Sequence, residues 1–143
     1  MVAYATSGVT PNSIVAGDFN KDGRMDLAFT NTNSNSIGVV IGNGDGTFQT
    51  AQTYPTGKAP IDIISADLDG DGNLDLAAGN YNDSSVSVFL GNGDGTFQSR
   101  TDYVTGLGAS FVIAARDLNR DGKRDLITCG NDMVSVLLNT GTN

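Results

Sequence analysis

Three observations predict an all-β fold for this sequence. All 16 acidic residues are Asp, Glu is absent and Gly reaches 19 in 143 residues. Asp and Gly serve turns, whereas Glu is a good helix former. The chain also repeats itself: GDFNKDGRMDL at 17–27 returns as ADLDGDGNLDL at 66–76 and RDLNRDGKRDL at 116–126, and GNGDGTFQ occurs verbatim at 42–49 and 91–98. Finally, short segments alternate with a period of two: in SSVSVFLG (84–91) Val86, Val88 and Leu90 share one face and Ser87 and Phe89 the other.

The repeat spaces Asp18 from Asp67 by 49 residues and Asp67 from Asp117 by 50, with Leu107 as the inserted residue. It divides a single domain into units at approximately 9–57, 58–107 and 108–143. In the second unit PIDIISA (60–66) is expected as a strand before the Asp loop and DLAAGN (75–80) as the strand after it. SSVSVFLG supplies the third strand, and GNGDG turns the chain into the fourth, TFQSRTDYVTG (96–106). A four-stranded antiparallel meander of this kind cannot bury both apolar faces alone. Radial stacking solves the problem, because each blade covers its neighbour, and this predicts a β-propeller of three four-stranded blades. Helical solenoids have comparable periods, but Gly-rich, Glu-free repeats with two-residue alternation argue against them.

The ends of the chain are complementary. The third unit stops at VSVLLNTGTN, before its fourth strand, while MVAYATSG (1–8) reads as the end of such a strand with Tyr4 in the place of Tyr54 and Tyr103. A split blade closed by strand exchange is therefore expected. Three blades fall below the usual four to eight, so a head-to-tail homodimer of six blades is the expected ring. The competing account is a segment of a longer propeller.

Composition narrows the function. A net charge of −8 with only eight scattered Lys and Arg offers no basic footprint for nucleic acid. Ten of the 16 Asp lie in the three repeated loops, so the acidity is local; three divalent cations would reduce the charge to about −2. The single Cys129 sits in an apolar alternation and reads as strand packing. There is no apolar run of membrane-spanning length, and no basic-then-apolar signal sequence at Met1.

Each repeated loop fits D-x-[DN]-x-D-G-x-x-D. Side-chain oxygens stand at loop positions 1, 3, 5 and 9: Asp18, Asn20, Asp22 and Asp26; Asp67, Asp69, Asp71 and Asp75; Asp117, Asn119, Asp121 and Asp125. Hard oxygen ligands in a flexible loop suit Ca²⁺, which takes six to eight oxygens, better than Mg²⁺, which demands a strict octahedron. With no His and one Cys, zinc has no plausible set. Position 7, occupied by Arg24, Asn73 and Lys123, is expected to offer only its carbonyl, with a cationic side chain turned outward. Gly23, Gly72 and Gly122 allow the positive-φ turn around the ion. Plain Asp/Gly hairpin turns would need one or two Asp, not three or four without counter-charge. EF-hand and dockerin-like loops require a following helix and an acidic residue at position 12, which here is Phe29, Ala78 or Thr128. Calcium β-rolls repeat every nine residues. In GNGDGTF, by contrast, Asn43-Gly44 and Asp45-Gly46 read as turns, with no metal role assigned to Asp45 or Asp94.

The joint pattern of this Asp loop and V-x-V-x-L-G-N-G-D-G-T-F resembles the FG-GAP or VCBS repeat, the blade of integrin α-subunit-like propellers. The resemblance covers nearly the whole chain. It implies one Ca²⁺ per repeat, three in all, held between the first and second strands at the twelve side-chain positions named. The family's FG and GAP signatures are only partly present, as Lys58-Ala59-Pro60 and Gly108-Ala109-Ser110.

What the resemblance implies about function is recognition: a calcium-stiffened module, lectin-like or adhesive, binding a glycan or an extracellular protein outside the cell or at its surface. An alternative is a self-assembling scaffold without a ligand. A further one is a non-catalytic piece of a polysaccharide-active protein; without His, Glu or Trp the chain lacks the usual general base, one usual glycosidase carboxylate and the commonest sugar-stacking ring, and no enzyme activity is expected. Tyr4, Tyr54, Tyr81 and Tyr103, with Asn80 and Asn82, are the candidate sugar contacts, set against packing of the tyrosines between blades.

Overall fold

The computed structural model describes residues 3–106 and 112–141. Leu107, Gly108, Ala109, Ser110 and Met1 lie outside the described residues.

The described residues are all-β apart from one 3₁₀ turn, Thr32–Ser34. The first sheet comprises β1 (Pro11–Gly17), β2 (Asp26–Asn31), β3 (Ser36–Val40) and β4 (Gln52–Pro55). The second repeats it as β5 (Pro60–Ala66), β6 (Asp75–Asn80), β7 (Ser85–Phe89) and β8 (Thr101–Val104). The third contains β9 (Val112–Arg116), β10 (Asp125–Gly130) and β11 (Met133–Leu137). Each sheet is an antiparallel meander, among the described residues two of four strands and one of three. Among the described residues the third blade has three strands of its own, and the fourth-strand place beside β11 is the one for which strand exchange was expected.

Stacking follows from faces that are apolar on both sides. All five residues of β7 are buried. Val86 and Val88 pack with Ile113 and Leu126 of the third blade, while Phe89 joins Phe19, Ile37 and Val39 of the first. The first strands of successive blades, β1, β5 and β9, lie next to one another, as the inner strands of a propeller do. Asp62 on β5 ties these three: it accepts from Ser13 Oγ at 2.7 Å and from the Ile113 N–H at 3.0 Å.

The fourth strand differs from expectation. Instead of running from 96 to 106, it makes one bridge, Gly91 to Phe97, and resumes only at Thr101. The neighbouring blade explains the interruption: Phe97 turns inward to meet the rings of Phe19 at 5.6 Å and Tyr54 at 5.7 Å, both edge-on. Arg100 then reaches back to the Thr56 carbonyl at 2.7 Å.

Candidate metal centre

The three Asp loops link the first and second strands of their blades and fold alike. Position 1 closes each loop by accepting backbone N–H groups. Asp18 takes those of Asp22 and Gly23 at 3.1 and 2.8 Å, Asp67 those of Gly70 and Gly72 at 2.7 and 3.1 Å, and Asp117 those of Arg120 and Gly122 at 2.7 and 3.0 Å. The turn needs left-handed backbone at Gly23, Gly72 and Gly122, with φ between 82 and 88°. Position 4 is left-handed as well, in Lys21, Gly70 and Arg120, which the sequence did not reveal. Two loops thus hold a long basic side chain in a backbone conformation that Gly adopts more readily.

Position 5 accepts the N–H of position 7: Asp22 from Arg24, Asp71 from Asn73 and Asp121 from Lys123, at 2.9, 2.7 and 2.9 Å. The Lys123 N–H and then the Asn119 amide hold the Asp121 carboxyl below its usual range. In the second loop Asp67, Asp69 and Asp71 bring carboxylate oxygens within 4.8 Å of one another, a set able to hold a metal ion. The first and third loops place Asn20 and Asn119 at position 3, each donating to its position-5 carboxylate at 3.0 Å.

The position 7 side chains take three courses. The Lys123 ammonium turns to the Thr140 carbonyl at 3.1 Å. Arg24 is largely exposed but keeps a guanidinium nitrogen 3.9 Å from Asp22. Asn73 leans inward, donating to Asp71 at 2.6 Å and to the Gly91 carbonyl at 3.2 Å.

Position 9 has a role that the loop spacing does not disclose. Asp26, Asp75 and Asp125 are fully buried, and each clasps two distant backbone donors. Asp26 accepts from Phe19 and Gly42 at 2.9 and 2.8 Å, Asp75 from Leu68 and Gly91 at 2.7 and 2.8 Å, and Asp125 from Leu118 and Asn139, both at 2.9 Å. One oxygen holds the loop and the other holds the chain leaving the third strand. Burial pushes the Asp75 carboxyl up against the pull of its two N–H donors, and Asp69 and Asp71 push it the same way. A raised folded pKa means that ionisation costs stability as pH climbs from 3.8 through the raised value. A cation in the loop opposes that cost.

The GNGDGTF hairpins are built as turns. Asp45 Oδ1 accepts from the Thr47 N–H at 2.9 Å and hydroxyl at 2.6 Å, and Asp94 accepts from Thr96 at 2.9 and 2.5 Å. The second hairpin also caps the preceding blade's Asp loop, through the Gly95 N–H to the Phe19 carbonyl at 3.0 Å. The Thr hydroxyl, and next the Thr N–H, hold both Asp carboxyls below 3.8. The stabilisation is therefore present above pH 3.8 and lost as pH falls through the lowered folded value. In an NMR titration Asp45 is expected to ionise below 3.8, and Thr47→Val is expected to move it up toward the usual value; an unchanged midpoint would contradict the assigned cause.

Of the candidate sugar contacts, Asn80 is fully buried and donates to Ser85 and Ser87, which removes it from any exposed surface. Tyr54 packs edge-on against Phe89 and Phe97, and Tyr4 against Phe48. Tyr81 and Tyr103 are exposed at 38 and 46 %, and Asn82 is exposed beside Tyr81. Among the described residues no helix is long and apolar enough to cross a membrane.

Stacked antiparallel blades, each with an acidic loop between its first two strands, define a β-propeller-type repeat protein. The family model described as FG-GAP-like repeat matches twice, over residues 18–78 and 67–128, together more than half of the chain. The chain belongs to the FG-GAP-like repeat family. No curated protein matches it.

Proposed function

We propose that the chain is a calcium-binding recognition module. Each blade would hold one Ca²⁺ with the side chains of positions 1, 3 and 5, the carbonyl of position 7 (Arg24, Asn73, Lys123) and the carboxylate of position 9. The observation that carries this reading is the convergence of Asp67, Asp69 and Asp71 on one point, in a loop whose fold the other two blades repeat. The donor set is all oxygen, which suits a hard cation of high coordination number. The ion's contribution is charge: it relieves the repulsion among carboxylates and stiffens the link between the first two strands.

The stiffened blades then present their connections to a partner. A glycan or an extracellular protein is the ligand class that fits, in a calcium-rich extracellular or cell-surface setting typical of the family. Tyr81 and Asn82, on the turn joining β6 to β7, combine an exposed ring with an amide able to donate and accept. A non-catalytic role agrees with a chain that has neither His nor Glu. Glycan-array screening in calcium is expected to give hits that disappear in EDTA and are lost in Tyr81→Ala. An array silent in calcium would reject the glycan and favour a scaffold or a protein ligand.

A further inference from the structure

The first and third blades expose the halves of an interface that the described residues already make twice internally. The first blade lays Phe19, Ala28, Ile37 and Val39 against the second, and the second lays Leu68, Ala77, Val86 and Val88 against the third. In the third blade Ile127 pairs with Val136 and Cys129 with Val134, as Ala77 pairs with Val88 and Gly79 with Val86. The counterparts facing onward are therefore Leu118, Ile127, Val134 and Val136. Among these, Leu118, Val134 and Val136 are exposed at 49, 68 and 45 %. In the other direction the second blade presents Ile63 and Leu74 to the first. Their counterparts on the first blade, Ile14 and Met25, are exposed at 62 and 64 %.

The backbone repeats the relation. β3 and β7 are flanked by β4 and β8, whereas β11 is an edge among the described strands. The amino-terminal segment carries the features of the covering strand. Tyr4 meets Phe48 edge-on at 5.3 Å as Tyr54 meets Phe97 at 5.7 Å. The Thr6 hydroxyl donates to the Gly8 carbonyl at 3.1 Å as Thr56 donates to Gly57 at 2.8 Å. Tyr54 lies opposite Ile37, and Tyr103 opposite Val86. The same register sets Tyr4 of a second copy opposite Val134, and its Ala3 opposite Ser135.

We infer that the chain associates head to tail with a second copy of itself: the outer face of the third blade receives the first blade of the other copy, whose residues 3–6 add a fourth strand to β11. Two copies of the 143-residue span supply six blades, within the four to eight of closed propellers, whereas three supply nine; for this span closure selects the dimer. The contact is apolar packing and strand pairing, the same chemistry as the two internal junctions, and it stands apart from the ligand reading above.

Light scattering on the 143-residue chain in calcium is expected to give twice the 14.8 kDa of one chain. Val134→Asp, which puts a charge into the junction, is expected to return the mass to that of one chain without changing the circular dichroism spectrum. In a Cys129→Ser background, Ala3→Cys combined with Ser135→Cys is expected to form a reducible covalent dimer, since the counterpart pair Ser87 and Asp102 is in contact at 2.6 Å. Neither single substitution is expected to cross-link. A mass of 14.8 kDa for the unaltered chain, a ladder of larger assemblies, or no cross-link in the double variant would overturn the inference.

Discussion

Replacing Asp75 with Ala is expected to destabilise the fold by about 3 kcal/mol or more, because the two oxygens of this buried carboxylate each accept a buried hydrogen bond from a backbone N–H. The Leu68 N–H at 2.7 Å and the Gly91 N–H at 2.8 Å would lose their acceptor together. Hydrogen bonds to a charged group contribute roughly 1.5 to 3 kcal/mol each, against which the ionisation cost of a buried carboxyl is subtracted. A domain of this size holds only about 5 to 15 kcal/mol in total, so the loss is a large fraction of it. Asp75→Asn retains one acceptor but turns an amide N–H toward a backbone N–H, and is expected to fall between wild type and Ala. Urea unfolding followed by circular dichroism measures the difference. A change well below 1 kcal/mol would show that the carboxylate is not what clasps the loop to the end of β7.

Removing calcium is expected to have an effect of similar size, spread over three loops. At millimolar Ca²⁺ and a dissociation constant near 10⁻⁴ M, each site adds about 1 to 2 kcal/mol, and three together about 4 kcal/mol. For a chain of this length that corresponds to a fall in melting temperature on the order of 10 °C on chelation. Magnesium at the same concentration is expected to restore little if the loops are the high-coordination sites proposed, since such sites do not impose its octahedron.

Much of this architecture was legible because its determinants are local. The predicted spans 60–66 and 75–80 coincide with β5 and β6, whose ends are set by the Asp loop between them. The alternation in SSVSVFLG likewise announced β7. Features decided by neighbouring blades were not legible. Phe97 interrupts the fourth strand because Phe19 and Tyr54, in another repeat, offer it an edge-on site. The clasp at position 9 was hidden for the same reason: Asp26 reaches Gly42 and Asp75 reaches Gly91, each 16 residues on, and no spacing within the nine-residue loop points there. The inward lean of Asn73 depends likewise on the Gly91 carbonyl of the adjoining hairpin. Asn80 could be read as a surface amide only until its neighbours Ser85 and Ser87 were seen to enclose it.

The central claim is that each of the three loops is a cation site, and counting bound calcium tests it most directly. Equilibrium dialysis of the intact chain against millimolar calcium is predicted to find three ions per chain, with one lost for each position-1 Asp replaced by Ala. Retention of no calcium would contradict the account.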